Sequence, residues 1–215
     1  RGRGTLEGVP EGDTVWLAAK RMHTALAGRT LLIAGGAGAV GNAAVQLARW
    51  AGADVIATVS GEAKGRLATA AGAHHVVNYR EADTAEVIRG VAPDGVDLVV
   101  EVAAGANAEL DLAVLRPRGT ISIYANDGGA PLDLDVRRNM GLNARYQFVL
   151  LYTVGWDRIV AAAAAINQAI EDGAFGVGEQ AGLPLHRYRL EDASAAHAAV
   201  ESRAVGKVLI TVGTS

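Results

Sequence analysis

The stretch that decides the fold is LLIAGGAGAVGNAAVQLARWAGADVIATVS, residues 31–60. It begins with an apolar run, breaks at glycines, continues with helical spacing and ends in a second apolar run. Within it, GAGAVG fits the spacing G-x-G-x-x-G, with a predicted strand directly before it and a predicted helix directly after it. The segment therefore predicts a dinucleotide-binding βαβ unit. Its candidate phosphate-binding residues are Gly36, Gly38, Ala39, Val40 and Gly41.

Each position of this pattern requires glycine for a different physical reason. The first permits a tight turn, the second lets the backbone approach a pyrophosphate, and the third lets the helix pack closely on the strand. The helix amino terminus then offers free N–H groups and about half a positive charge to the phosphates. A P-loop is excluded because no Gly-Lys-Ser or Gly-Lys-Thr follows the glycines.

The rest of the chain alternates short β-branched runs with alanine-rich amphipathic stretches. This alternation predicts an α/β fold, a Rossmann-type doubly wound parallel sheet with helices on both faces, followed by a C-terminal helix–strand tail. Strands are predicted at 29–34, 54–59, 75–78, 96–102, 119–124 and 144–152, and helices near 39–51, 62–71, 83–90, 107–115 and 156–173. A polar loop is predicted at 125–135, and a strand, a helix and a final strand over 184–212.

The tip of the second predicted strand indicates which dinucleotide is bound. A site for NAD usually carries Asp or Glu about 20 residues past the first glycine, to bind the ribose 2′-hydroxyl. This chain has Thr-Val-Ser-Gly over 58–61, followed by Lys64 and Arg66. Cations attract a 2′-phosphate, so NADP(H) is favoured. Two alternatives stay open: Glu62 could turn toward the ribose, and Lys64 and Arg66 could belong to a solvated helix face, an interpretation favoured for Arg66.

Composition excludes several other functions. The formal net charge of -3 gives no basic field for nucleic acid, and no apolar run approaches the length of a membrane span. The chain has no cysteine, which excludes thiolate zinc ligands and cysteine nucleophiles within it and fits a reducing, cytoplasmic compartment. His74 and His75 directly precede a predicted strand, and the alternation of an extended chain points them to opposite faces, so no metal site is expected.

From about Gly28 to its end, the chain resembles the medium-chain dehydrogenase/reductases, in particular the zinc-free, zeta-crystallin-like quinone oxidoreductases. The last of four matching segments is the most specific to that branch. The segments are AGGAGAVGNAAVQLAR, AGAHHVVNYRE, GVDLVVEVAAGA and YRLEDASAAHAAVESRAVGKVLI. The chain departs from the family in having Gly-Ala-Val-Gly in its loop and Glu101-Val102-Ala103-Ala104 at the fourth strand, which alters the expected nicotinamide-side wall.

The resemblance implies cofactor contacts for six residues outside the glycine loop. Tyr79 could instead cap a strand, and Arg203 could be a surface helix end. Lys64, Tyr79 and Ser60 match positions at the adenosine phosphate, Tyr124 and Asn126 match the nicotinamide-ribose side, and Arg203 matches a cofactor-contacting arginine.

The resemblance also implies a domain division. Residues 1–28 would be a leading segment or a remnant of a preceding domain, 29–183 the dinucleotide-binding domain, and 184–215 a tail that packs on a GroES-like catalytic domain. That catalytic domain is not in this sequence, so the chain is expected to be part of a longer protein or a natural split protein. The family pairs its cofactor domains across an edge strand, which here predicts a homodimer through residues 147–152.

The expected activity is hydride transfer from NADPH to a quinone or an enone. No catalytic residue is assigned, although Tyr124 is a possible proton donor. Two alternatives remain open, namely an enoyl or other double-bond reductase module of the same fold, and a non-catalytic nucleotide-binding protein.

Overall fold

The computed structural model describes residues 25–81 and 83–213, so most of the predicted leading segment lies outside the described residues. Six parallel strands form one sheet in the order β3-β2-β1-β4-β5-β6, which confirms the predicted fold class. The strands are β1 (Thr30–Ile33), β2 (Asp54–Val59), β3 (His75–Asn78), β4 (Val96–Glu101), β5 (Leu115–Ile123) and β6 (Arg145–Phe148). The helices are α1 (Ala39–Trp50), α2 (Glu62–Ala70), α3 (Thr84–Val91), α4 (Ala104–Val114), α5 (Val136–Leu142) and α6 (Trp156–Glu171).

At the centre of the sheet both faces are buried, which explains why β1 and β2 are apolar without a polar alternation. In β1, Leu31 and Ile33 enter a core on one face with side chains of α1 and α2. Leu32 points the other way, into a core shared with Ile88 of α3 and Val114 of α4. Helices therefore cover both sides, as the sequence predicts.

The strand order reverses at β1, which pairs with β2 on one side and β4 on the other. In open parallel sheets, ligands bind in the crevice outside the carboxyl ends of the strands at such a reversal. The glycine loop follows β1 and the turn from β4 to α4 lies across from it, so the topology places both at this crevice.

Two predicted bounds in the second half of the sheet are wrong. Helix α4 begins at Ala104, ahead of the expected 107, and β5 begins at Leu115, ahead of the expected 119. Leu115 is fully buried and pairs with Val96, and the register then shifts before Thr120 pairs with Leu98. The charged LRPRG segment thus belongs to an irregular strand, which alternation of apolar residues cannot reveal.

The predicted strand at 144–152 is also too long, because β6 ends at Phe148. Val149 N donates the last bond, to Ile123 O at 2.8 Å, and β5 itself ends there. The following residues lie beside no strand of the part of the chain that the structure describes, and they form a turn in which Thr153 N donates to Leu150 O. Helix α5 is a further addition, begun by Asp135, whose carboxylate accepts from Arg138 N.

The C-terminal tail forms the predicted strand, helix and strand: β7 (Leu185–Arg189), α7 (Ala193–Glu201) and β8 (Lys207–Thr211). Strands β7 and β8 pair in parallel as a separate two-stranded sheet. Val205 joins the tail to the main body by packing against the core on the α1 side. Among the described residues, no helix combines the length and apolar character needed to span a bilayer.

Candidate cofactor site

The glycine loop is shaped so that its glycines are required by close contacts. A Cβ on Gly41 would lie 2.2 Å from the carbonyl oxygen of Gly35, and one on Gly36 would lie 2.7 Å from Ala57 Cβ. A Cβ on Gly38 would meet the Gly35 oxygen at 3.3 Å. Gly36 and Gly41 are therefore packed too closely for a side chain, while Gly38 is exposed, which fits a loop that a pyrophosphate approaches.

The start of helix α1 is open to an anion. Its N-cap is Gly38, with no side-chain cap bond, and no acidic residue lies in the first turn. The backbone N–H groups of Ala39, Val40 and Gly41 begin the helix, where intrahelical partners are missing. Half of the Val40 side chain is exposed as well. The donor set therefore suits the phosphates of a dinucleotide.

Ser60 and Lys64 lie together just after β2. Lys64 Nζ donates to Ser60 Oγ at 3.0 Å, an i to i+4 contact across the first turn of α2. Tyr79 follows the neighbouring β3, with its backbone N–H bonded to Val59 O at 3.1 Å and its side chain 49% exposed. Three of the residues predicted for the adenosine end thus come from adjacent strand ends.

Glu62 and Arg66, for which the sequence left other positions open, are paired with each other. Arg66 and Glu62 form an ion pair at 2.6 Å, and both side chains are exposed. Glu62 is therefore held on the outer face of α2 by Arg66, and the ammonium group of Lys64 remains beside Ser60.

Tyr124 and Asn126 lie at the carboxyl ends of β4 and β5. Tyr124 N donates to Glu101 O at 3.1 Å, and Asn126 forms an isolated bridge with Ala103. The Asn126 side chain fastens the loop to helix α4, because its Oδ1 accepts from Gly105 N at 3.0 Å. Both residues therefore border the turn from β4 to α4, across the strand reversal from the adenosine end.

Among the described residues, no hydrogen bond or ion pair joins Arg203 to these groups. It lies exposed in the turn after α7, with a left-handed backbone (φ 58°) and its N–H bonded to Val200 O. Its predicted contact with the cofactor stays a prediction.

Sequence reasoning missed the most buried polar group at the site, the carboxylate of Glu101. This side chain is 1% exposed and turns back over its own strand end. Oε1 accepts from Val102 N at 2.7 Å and also from Ala103 N. Asn107 Nδ2 donates to both carboxylate oxygens, at 3.0 and 3.2 Å. The residue noted as a departure from the family thus organises the β4–α4 turn.

Asp111 lies one turn beyond Asn107 on the same face of α4, and it was missed as well. It is 2% exposed, and its Oδ1 has no hydrogen-bond partner among the described residues. Burial, reinforced by the negative charge of Glu101, raises the pKa of Asp111 to about 8. The protonated form of its carboxyl is therefore favoured at neutral pH. The sequence signal was Asn107 and Asp111 at i and i+4 on a mostly apolar helix.

Tyr124 stays a phenol in this setting. Burial raises its pKa to about 12, and the charges of Glu101 and Asp127 act in the same direction. The hydroxyl is therefore a hydrogen-bond donor at neutral pH and a weak acid.

The two adjacent histidines lie in different surroundings. Val55 N donates to His74 Nδ1 at 2.9 Å, and burial together with the Arg49 charge lowers the pKa of His74. His75 is exposed. Within the described ranges, no group of three or more His, Asp or Glu side chains could hold a metal ion.

A family model described as zinc-binding dehydrogenase matches residues 39–168, which is more than half of the chain. The chain belongs to this family. Its predicted place among the medium-chain dehydrogenase/reductases, beside the quinone oxidoreductases, is thereby confirmed. It is 31% identical to a quinone oxidoreductase of Sus scrofa over 80% of this chain and 51% of that protein. It is 30% identical to the quinone oxidoreductase of Lama guanicoe over 97% of this chain and 62% of that protein.

Two solved structures share the architecture. The 2-haloacrylate reductase structure superimposes with a TM-score of 0.76 at 25% identity, over 96% of this chain and 69% of that chain. The Escherichia coli quinone oxidoreductase, solved in complex with NADPH, gives a TM-score of 0.74 at 26% identity, over 93% and 63%. The chain thus spans only part of its relatives, 51% and 62% of the two quinone oxidoreductases above.

Proposed function

We propose that this chain is the cofactor-binding part of an NADP(H)-dependent oxidoreductase that reduces a quinone or an enone. The observation that carries the proposal is the Ser60–Lys64 pair at a strand tip without a carboxylate, beside a glycine loop closed to side chains. The Escherichia coli quinone oxidoreductase neighbour bound to NADPH supports the same choice of cofactor.

The bound cofactor would supply the hydride chemistry. The helix amino terminus at Gly38 would hold the pyrophosphate, and Lys64 with Ser60 would meet the 2′-phosphate by charge-assisted hydrogen bonds. The β4–α4 turn and the loop through Asn126 would form the wall on the nicotinamide side. Tyr124, as a phenol, would donate a hydrogen bond there and is a candidate proton donor to the reduced substrate.

The test is a comparison of two cofactors on the 215-residue chain. Isothermal titration with NADPH and with NADH at equal ionic strength should give clearly tighter binding of NADPH. Equal affinities would overturn the choice of cofactor, and no binding of either would overturn the function.

A reductase acting on other electron-poor double bonds is the second candidate. It is supported by the similarity to a 2-haloacrylate reductase of a Burkholderia species, 35% identical over 61% of this chain. Assays of the complete protein with quinones, enones and haloacrylates, all with NADPH, separate the two candidates. If the chain binds NADPH but the complete protein reduces none of these substrates, the non-catalytic alternative is favoured.

We also propose a homodimer through the edge at residues 147–152. Among the described strands, β6 has β5 alone as a neighbour, and exposed apolar side chains lie at its end. Their exposed fractions are 64% for Phe148, 57% for Leu150, 63% for Leu151 and 91% for Tyr152. Such an apolar edge is a template for pairing with a second copy. Light scattering at micromolar concentration should give a dimer, and Phe148→Asp should give a monomer.

We propose in addition that the enzyme needs no zinc, that it is cytoplasmic, and that its tail packs on a catalytic domain. The lack of cysteine supports the first two, since thiolate ligands and disulfides are both impossible within the chain. Metal analysis of the purified complete protein tests the first, and a zinc atom in stoichiometric amount would overturn it.

A further inference from the structure

The nicotinamide end of the cleft contains two carboxyl groups in a space that can hold one negative charge. Glu101 and Asp111 are 1% and 2% exposed. Glu101 is the better place for the charge, because two backbone N–H groups and the Asn107 amide donate to it at the start of α4. Asp111 has no such donors, and its Oδ1 is unpaired among the described residues. Two adjacent buried carboxylates cannot both ionise cheaply, so the pair holds one proton between them.

The surroundings of the pair do not relieve this constraint. Tyr124, directly after β5, interacts with Glu101, and Tyr146 of β6 interacts with Asp111, while Asp127 lies in the loop beyond Tyr124. Burial and the Asp111 charge act together to raise the pKa of Tyr146, while Asn139 of α5 accepts its hydroxyl bond at 2.9 Å. The neighbours are phenols, an amide and another acid, none of which neutralises a second carboxylate.

The turn that Glu101 holds is in contact with the rest of the site. Val102 Cγ1 stands 3.6 Å from the position of a Cβ built on Gly35, the residue that opens the glycine loop. Ala103 is bridged to Asn126, and Asp127 N donates to Val102 O at 2.8 Å. A change in the Glu101 bonds would therefore move the wall against which the nicotinamide is proposed to lie.

We propose that Glu101 and Asp111 are a positioning pair: one shared proton keeps the Glu101 carboxylate on the Val102 and Ala103 N–H groups, and so fixes the nicotinamide-side wall. Loss of that proton sets two like charges against each other and loosens the turn. The part of this inference that concerns the cofactor rests on the proposed function, whereas the shared proton does not.

The shared proton is tested on the chain alone by carbon-13 NMR of its carboxyl groups. The Asp111 carboxyl should titrate near pH 8, as burial beside Glu101 requires, and the Val102 and Ala103 amide signals should shift in the same step. Asp111→Asn, whose amide can donate to Glu101 permanently, should remove the step. Glu109→Gln is the matched control on the same helix, because Glu109 is exposed and paired with Arg138. An Asp111 carboxyl that titrates near pH 4, or amides that do not follow it, overturns the inference.

The link to the cofactor is tested by comparing NADPH with adenosine 2′,5′-bisphosphate, which occupies only the adenosine end. Between pH 7 and 9 the affinity for NADPH should fall about fivefold or more, as expected for two coupled sites, while the bisphosphate affinity stays constant. In Asp111→Asn, the NADPH affinity should be the same at both pH values. An equal fall for both ligands overturns the positioning role. If neither ligand binds, the proposed function fails, and the NMR titration still decides the shared proton.

Discussion

The two ends of the proposed cofactor cleft, adenosine and nicotinamide, differ in how their polar groups are held. At the adenosine end, Lys64 reaches Ser60 across one helical turn, near the surface. At the nicotinamide end, Glu101, Asn107 and Asp111 meet in the interior, where burial rather than a neighbouring cation decides the state of the carboxyls. The first end depends on the spacing of residues within one helical turn. The second depends on the packing of α4 against the sheet, because the Glu101 carboxylate bonds both the β4–α4 turn and Asn107 of α4.

The largest effect is expected where the two ends meet, in the glycine loop. Gly41→Ala would place a methyl group 2.2 Å from the Gly35 oxygen, inside a packed backbone contact. We expect a loss of about 3 kcal/mol in the free energy of unfolding, measured by urea denaturation, together with loss of dinucleotide binding. Gly90→Ala is the control: it is also a helical glycine but has open space, and it should gain about 0.5 to 1 kcal/mol. Equal effects of the two substitutions would contradict the close contact.

The next effect concerns the pH dependence of stability. The pKa of Asp111 is raised from 3.8 to about 8 in the folded chain, so the native state binds the extra proton. The contribution of Asp111 to the free energy of unfolding is therefore complete below pH 4. It is lost as pH rises toward 8, by up to about 1.4 kcal/mol per pH unit. In Asp111→Asn, the difference between the unfolding free energies at pH 5 and at pH 8 should be smaller, as measured by urea denaturation.

Asp97, at the other end of β4, is the control for this slope. Bonds from Thr30 N and Arg29 and the nearby Arg116 lower its pKa, although partial burial opposes them. Its contribution is present above pH 4 and lost only below it. Asp97→Asn should therefore keep the slope of the wild-type chain between pH 5 and 8. A flattened profile in both variants would show that the slope does not come from Asp111.

At the adenosine end, the effect should be smaller and confined to the ligand. Lys64→Ala should weaken NADPH about tenfold, or about 1.4 kcal/mol, with little change for NADH, because only NADPH carries the 2′-phosphate. Arg66→Ala is the control, since Arg66 is paired with Glu62 on the exposed face of α2. Isothermal titration of both variants with both cofactors checks this, and an unchanged preference in Lys64→Ala would remove Lys64 from the site.

The smallest effect is expected for Ser60→Ala. The Ser60 hydroxyl accepts one hydrogen bond from Lys64. Removing the hydroxyl leaves the positive charge of Lys64 in place. The affinity for NADPH should fall about threefold or less by the same titration, the amount typical of one partly solvated hydrogen bond. A loss as large as that of Lys64→Ala would mean that Ser60 itself carries the phosphate contact.

Much of the fold was predictable because the signal is local and repeated. Each of the first four strands contains a short run of β-branched or other apolar residues, and the position of α1 agrees with its amphipathic spacing. The glycine loop was predictable because its close approaches demand glycine at fixed spacing. The bounds of β5 and β6 failed because they depend on partners: a register shift against β4 in one case, and the end of β5 in the other.

The candidate site divides in the same way. By itself, the sequence determined the dinucleotide pattern, the absence of a carboxylate at the tip of β2 and the cations after it, since these are properties of residue type and short spacing. Only the tertiary structure decided that Glu101 folds back onto its own turn, that Asp111 faces it from a helix, and that Arg66 is paired with Glu62. The physical reason is that burial and the sharing of a proton are properties of surroundings brought together by the whole sheet.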